Sequence, residues 1–96
     1  MPELICPIAG VNYQPGARGT LDRLKVGTPL QLRREPQNQH DTLAVSVWWG
    51  DQKLGFVPKS KNVEIAWLLD TRRRPVKAVF AGRQERDVAV VRLTWD

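Results

Sequence analysis

Leu43–Pro58, LAVSVWWGDQKLGFVP, decides the fold. In its first half Leu43, Val45, Val47 and Trp49 alternate with Ala44, Ser46 and Trp48, the two-residue period of a strand with one face turned to a core. Gly50 and Asp51 supply a tight turn. Lys53–Val57 then runs back and is ended by Pro58, which has no amide hydrogen to give to a ladder. The segment reads as a β-hairpin.

Moving outward, the polar stretch EPQNQHDT, Glu35–Thr42, leads into the hairpin as a turn-forming loop. Pro29–Arg34 precedes it as a strand with Leu30 and Leu32 on one face. Leu4–Ala9 reads as the first strand. Asn12–Thr20, with Pro15, Gly16 and Gly19, reads as a flexible connection carrying the lone tyrosine, and Leu21–Lys25 as one helical turn before Gly27. Beyond the hairpin, Val63–Leu69 is the one convincing helix. Asn62 is placed to cap it, Glu64 suits its positive end, and Ile65, Leu68 and Leu69 share a stripe. Arg72, Arg73 and Arg74 favour its negative end, and Pro75 stops it before a fifth strand, Val76–Ala81. Val88–Trp95 closes the chain as a sixth strand, with Ala89, Val91, Leu93 and Trp95 facing inward. Five or six short strands around one short helix predict an all-β fold, a small partly closed barrel of the OB or SH3 kind, because closure hides the edges that a flat sheet exposes.

The 96 residues are one domain's worth of chain, so residues 1–96 are expected to form a single domain. Fifteen Lys and Arg against ten Asp and Glu give a formal charge of +5, which favours an anionic partner, nucleic acid first. No apolar run reaches the roughly 20 residues that a membrane-spanning helix needs, and the start MPELICPIAG lacks the basic region of a secretion signal. With one cysteine, Cys6, no internal disulfide is available. A cytoplasmic address follows, nucleoid-associated if bacterial, with Cys6 as a small buried hydrophobe. Nothing assembles into catalytic chemistry: there is no phosphate-binding glycine loop, nucleophile elbow or Cys-x-x-Cys pair, and His40 alone cannot hold a structural zinc. The chain is therefore expected to be non-enzymatic, without metal or cofactor.

The segment REPQNQHDTLAV, Arg34–Val45, sets a rigid Pro36, then Asn38 and Asp41, immediately before an apolar strand. Read from the residues alone, Asn38 and Asp41 cap this turn by hydrogen bonding its backbone. Together with GVNY (Gly10–Tyr13), LGFVPK (Leu54–Lys59) and WLLD (Trp67–Asp70), the segment closely resembles the HIRAN domain family over nearly the whole chain. The resemblance implies an OB-like barrel that captures the 3′ end of single-stranded DNA in repair or replication-fork processing, and a free-standing protein of the bacterial or phage kind. It implies that Tyr13 stacks on a terminal base, Asp41 accepts the terminal hydroxyl and Lys59 holds a phosphate. Members known for end binding carry a basic residue where this chain has Asn12 and an aromatic where it has His40; both are kept in the expected site. Phe56 and Phe80 fall near the family's pocket wall, Phe56 reading as core and Phe80, open between core and base platform, being kept in the expected site.

The assignment has physical sense. Stacking on a base is worth about 1–3 kcal/mol and ignores sequence, while lysine and arginine add salt-sensitive phosphate contacts. A carboxylate among phosphates is useful only against a donor, and a free 3′-hydroxyl is one. Lys61, Arg72, Arg73 and Arg74 are expected as secondary basic contacts, and Arg83 and Arg86 extend a basic groove if their loops face Lys59. Trp49, Trp67 and Trp95 read as packing residues and Trp48 as the exposed one. The expected partners are a single-stranded DNA 3′ end and a helicase or nuclease, with the protein a monomer. Two other functions compete: a protein–protein adaptor recruiting a repair or phage-defence partner, and end-independent single-strand or RNA binding.

Overall fold

The structure, a computed structural model, describes residues 2–72 and 74–96. Six strands, β1 (Glu3–Pro7), β2 (Pro29–Glu35), β3 (Ala44–Trp49), β4 (Gln52–Phe56), β5 (Lys77–Gln84) and β6 (Val88–Thr94), form one antiparallel sheet in the order β1-β6-β5-β2-β3-β4. The two edges meet at a single point beyond the end of β1. There Ala9 and Phe56 exchange both backbone hydrogen bonds, each 2.8 Å, and the sheet curls into a small, partly open barrel. Gly55 makes the approach possible. Its φ is +153°, and a Cβ there would lie 2.3 Å from the Ala9 carbonyl oxygen.

Two helices complete the chain, α1 (Ala17–Arg23) and α2 (Asn62–Thr71). The core joins Val45 and Val47 of β3, Leu54 of β4, Phe80 of β5, and Val91 and Leu93 of β6 to Ile65 and Leu68 of α2, all buried. The residues expected to face inward on the last strand, Ala89, Val91, Leu93 and Trp95, are buried, as is Cys6, but Val90 of the opposite face is buried too. The β3–β4 hairpin is present, with a bulge that the alternation did not announce. Val47 pairs with Gly55 and Trp48 with Lys53, leaving Leu54 as the extra, fully buried residue.

Several local expectations are corrected. Asn12–Thr20 is not a flexible connection: Val11–Tyr13 is a 3-10 turn, and α1 begins at Ala17 rather than near Leu21, burying Ala17, Thr20 and Leu21 on one face. Gly19 and the brevity of the helix hide that stripe in the sequence. Asn62 is the first residue of α2 and makes no cap hydrogen bond. The alternation of β3 does not separate an inner from an outer face, since Ala44, Val45, Ser46 and Val47 are all buried. The outer face is roofed by its own side chains: the Arg33 guanidinium lies 4.0 Å from the centre of the Trp48 ring, Lys53 covers Phe56 at 4.4 Å, and the Trp48 indole donates to Ser46 Oγ at 2.8 Å. Trp48 is consequently half-buried. Trp49 is 43% exposed because it ends its strand beside the Gly50–Asp51 turn, past the core. Trp67, two residues from the buried Ile65 and so on the far side of α2, is 53% exposed.

Candidate nucleic-acid interface

The loop between β2 and β3 is short, polar and tied at every turn. Asn38 accepts the backbone N–H groups of His40 (2.9 Å) and Asp41 (3.1 Å) on Oδ1, and its amide donates to Glu35 Oε1 at 3.1 Å. Glu35 in turn meets the Lys53 ammonium at 2.7 Å. Burial pushes the Glu35 carboxyl up, but hydrogen bonds from Lys53, Asn38 and Ser46 outweigh it and hold the group below its ordinary range. Arg34 braces the loop from the other side. Its guanidinium donates to the carbonyls of Ala44 (2.8 Å) and Thr42 (3.0 Å) and reaches both carboxylate oxygens of Asp70 on α2 at 2.9 and 3.3 Å.

This frame fixes Asp41. Oδ1 accepts the Leu43 N–H at 2.9 Å, and Oδ2 accepts the side-chain amide of Asn62 at 2.8 Å. Those two bonds, in that order, hold its carboxyl below the usual aspartate range, with help from the charges of Lys59 and Arg34. Each oxygen accepts one bond and has capacity for another. The turn-capping reading of Asn38 and Asp41 is therefore right as far as it goes. Beyond it, Asp41 borders a pocket of about 320 Å³ with His40, Lys59, Asn62, Phe56 and Ala9. That is the lower end of the size range of small-molecule sites.

On the other side of the Ala9–Gly10 backbone lies a second cavity of about 330 Å³, bordered by Asn12, Tyr13, Arg18, Arg83 and Arg86. Tyr13 is 85% exposed, and the Arg18 guanidinium donates to Asn12 Oδ1. Tyr13 and Asn12 thus sit next to the Asp41 pocket and do not line it, while Asp41, His40 and Lys59 share one wall. Phe80 is corrected: at 3% exposure it packs in the core and offers no ring face to a base. Phe56, half-buried, lines the Asp41 pocket and is more than a core residue. Arg72 and Arg74 follow the far end of the ten-residue α2, about 15 Å from Asn62, and do not join the pocket. Arg73 lies outside the described residues. Lys61 is exposed in the 3-10 turn beside Asn62, whereas Arg83 and Arg86 face the second cavity rather than Lys59.

Asn62 is the site residue that the sequence did not reveal: it looks like a helix cap, and only its 2% exposure and its bond to Asp41 show otherwise. Arg34 is hidden in the same way inside a strand pattern.

An OB-like barrel with a largely apolar pocket at its closing seam, rimmed by Asp41, His40 and Lys59, has the form of a small binding module. The family model of the HIRAN domain matches residues 2–92, and the chain belongs to that family, whose domains are nucleic-acid-binding modules. Among solved structures, a protein from Lactobacillus plantarum is similar at 26% identity and a TM-score of 0.80, over 98% of this chain and 96% of the other. The HIRAN domain of human HLTF is similar at 18% identity and a TM-score of 0.79, over 97% and 74%. No curated protein matches the sequence. Among the described residues no helix is long and apolar enough to cross a membrane.

Proposed function

We propose that the protein is a non-enzymatic module that binds the 3′-hydroxyl end of single-stranded DNA, with the terminal nucleoside in the Asp41 pocket, and serves DNA repair or fork processing beside a helicase or nuclease. The observation that carries this is the setting of Asp41: a carboxylate pinned through both oxygens, which holds its pKa below the usual aspartate range, bordering a pocket of about 320 Å³ and flanked by Lys59. An acceptor with capacity to spare selects a hydroxyl donor, and it repels an anionic end or a strand that continues through a phosphate. Lys59 offsets the charge of the strand's last phosphodiester, and the exposed ring of Tyr13 offers a stacking surface next to the pocket.

The test is fluorescence anisotropy with one labelled strand ending in a 3′-hydroxyl or in a 3′-phosphate. Wild type should bind the hydroxyl end at least about tenfold more tightly, and Asp41→Asn should lose that ratio. Equal binding of the two ends by the wild-type protein would end the proposal.

One observation favours a second role as an adaptor. Val63 and Trp67, one turn apart on α2, are 63% and 53% exposed, an apolar pair that a partner protein could cover. Trp67→Ala should then leave end binding intact and weaken recruitment of that partner in a pull-down.

A further inference from the structure

Arg86 stands where the backbone disfavours it. The β5–β6 hairpin turns through two consecutive left-handed residues, Arg86 with φ 61° and Asp87 with φ 64°. Asn-Gly fits such a turn with little strain, whereas arginine has no local hydrogen bond to offset the crowding of its Cβ. The strained residue borders the second cavity, as does Arg18 of α1.

The walls of that cavity are held by one ion pair. Arg83 of β5 donates to Asp22 of α1 at 2.6 Å, and it also bonds the Asp87 carbonyl at 3.1 Å with the Asp87 carboxylate 3.8 Å away. Arg18 lies one helical turn before Asp22 and so shares its face. Arg83 thus balances the two nearest carboxylates. Among the described residues, neither Arg18, whose guanidinium donates to Asn12 Oδ1, nor Arg86 is in salt-bridge reach of a carboxylate, so two cations without a balancing charge border one concavity. Gly10 borders this cavity and its neighbour Ala9 borders the Asp41 pocket, and a Cβ on Gly10 would lie 3.7 Å from Phe56 of that pocket. Gly10, at φ +74°, carries no side chain to interrupt the path.

We propose that Arg18 and Arg86 form a phosphodiester site, the second half of a track that receives the strand one or two nucleotides before the end held at Asp41. The inference rests on the 3′-end reading and gives it a direction: the strand leaves the Asp41 pocket, crosses Gly10, passes Tyr13 and meets the two arginines. Guanidinium–phosphate contacts are the chemistry both side chains offer, and they carry no base preference.

Length dependence tests it. An octamer and a dinucleotide, both with free 3′-hydroxyls, are titrated against wild type, Arg18→Gln, Arg86→Asn, Arg86→Lys and Asp41→Asn, the octamer by anisotropy and the dinucleotide by chemical-shift changes. Arg86→Asn and Arg18→Gln should each weaken the octamer about five- to tenfold, flatten its salt dependence and change the dinucleotide less than about twofold. Arg86→Lys should fall between, and Arg86→Asn should melt no lower than wild type. Unchanged octamer affinity in the arginine variants, or equal losses at both lengths, would overturn the track. Inorganic phosphate that displaces the octamer from wild type at matched ionic strength, and not from Arg86→Asn, would show a free-anion site and overturn the strand assignment. Octamer binding that ignores Asp41→Asn while falling with Arg86→Asn would instead refute the end pocket and leave the arginine site standing.

Discussion

The two cavities on either side of Gly10 are built on opposite plans. Around Asp41 the loop is tied down: Lys53, Glu35, Asn38 and Asn62 are linked through hydrogen bonds to Asp41, and Arg34, paired with Asp70, holds the Thr42 and Ala44 carbonyls. Around Arg86 a single arginine, Arg83, ties two segments together, and the remaining charges project from a strained turn and a seven-residue helix. The first arrangement selects by fixed geometry, the second attracts by charge. Changes in the first should therefore cost stability, and a well-chosen change in the second should raise it.

The sharpest blow falls on the seam beside the first cavity. Gly55→Ala forces a Cβ into the Ala9 carbonyl at a φ that L-residues avoid, and it should cost roughly 3–5 kcal/mol in urea denaturation. A loss below about 1 kcal/mol would mean that the edges do not close as tightly as described. Next comes Arg34→Ala, which strands the Thr42 and Ala44 carbonyls and should cost about 2 kcal/mol by the same measurement. A neutral result would dissolve the idea that Arg34 braces the loop. On the other side of Gly10 the sign reverses. Arg86→Asn relieves a left-handed arginine and should stabilise the protein by about 1 kcal/mol, seen as a higher melting temperature; destabilisation would erase the contrast between the two regions.

The smallest effect appears only in acid. The folded-state pKa of Asp41 lies below its unfolded value, so its stabilising contribution is complete above the unfolded value near 4 and drains away as the pH falls through that value toward the folded one. Between about pH 5 and pH 3 wild type should lose stability more steeply than Asp41→Asn. Parallel curves would mean that the bonds from Leu43 and Asn62 are no stronger than those water provides. Glu35, lowered in the same direction, titrates in both proteins and drops out of the comparison.

Much of the architecture was legible because it follows from period and punctuation. The alternation of Val45 and Val47, the turn at Gly50–Asp51 and the inward parity of Ala89, Val91 and Leu93 are local facts. The helix at Ala17–Arg23 was obscured by Gly16 and Gly19, whose propensities argue for loop while tertiary burial of Leu21 decides for helix. The four tryptophans divide by where their elements end, not by parity alone. At the site, Asp41, His40 and Lys59 were named from motif resemblance and do come together around one pocket. Asn62 was misread because asparagine before an apolar stripe usually caps. Its true partner is far away in sequence, and such a pairing leaves no local signal. Phe80 was misplaced for the converse reason: a strand phenylalanine looks the same in sequence whether it faces a base or a core.

The protein's one thiol lies in β1, the edge strand that leads to the seam. Cys6 is 2% exposed, pairs with Val91, and has its pKa pushed up by burial against a lowering influence from Lys61. An alkylating reagent can reach it only when β1 swings away from β6. Labelling of Cys6 therefore acts as a clock for edge-strand detachment, with protection falling as local opening becomes frequent. A bound strand that spans both cavities would rest on the Ala9–Gly10 backbone just beyond β1 and should slow that clock, so occupancy of the site could be read from the chemistry of a buried sulfur that the ligand never touches.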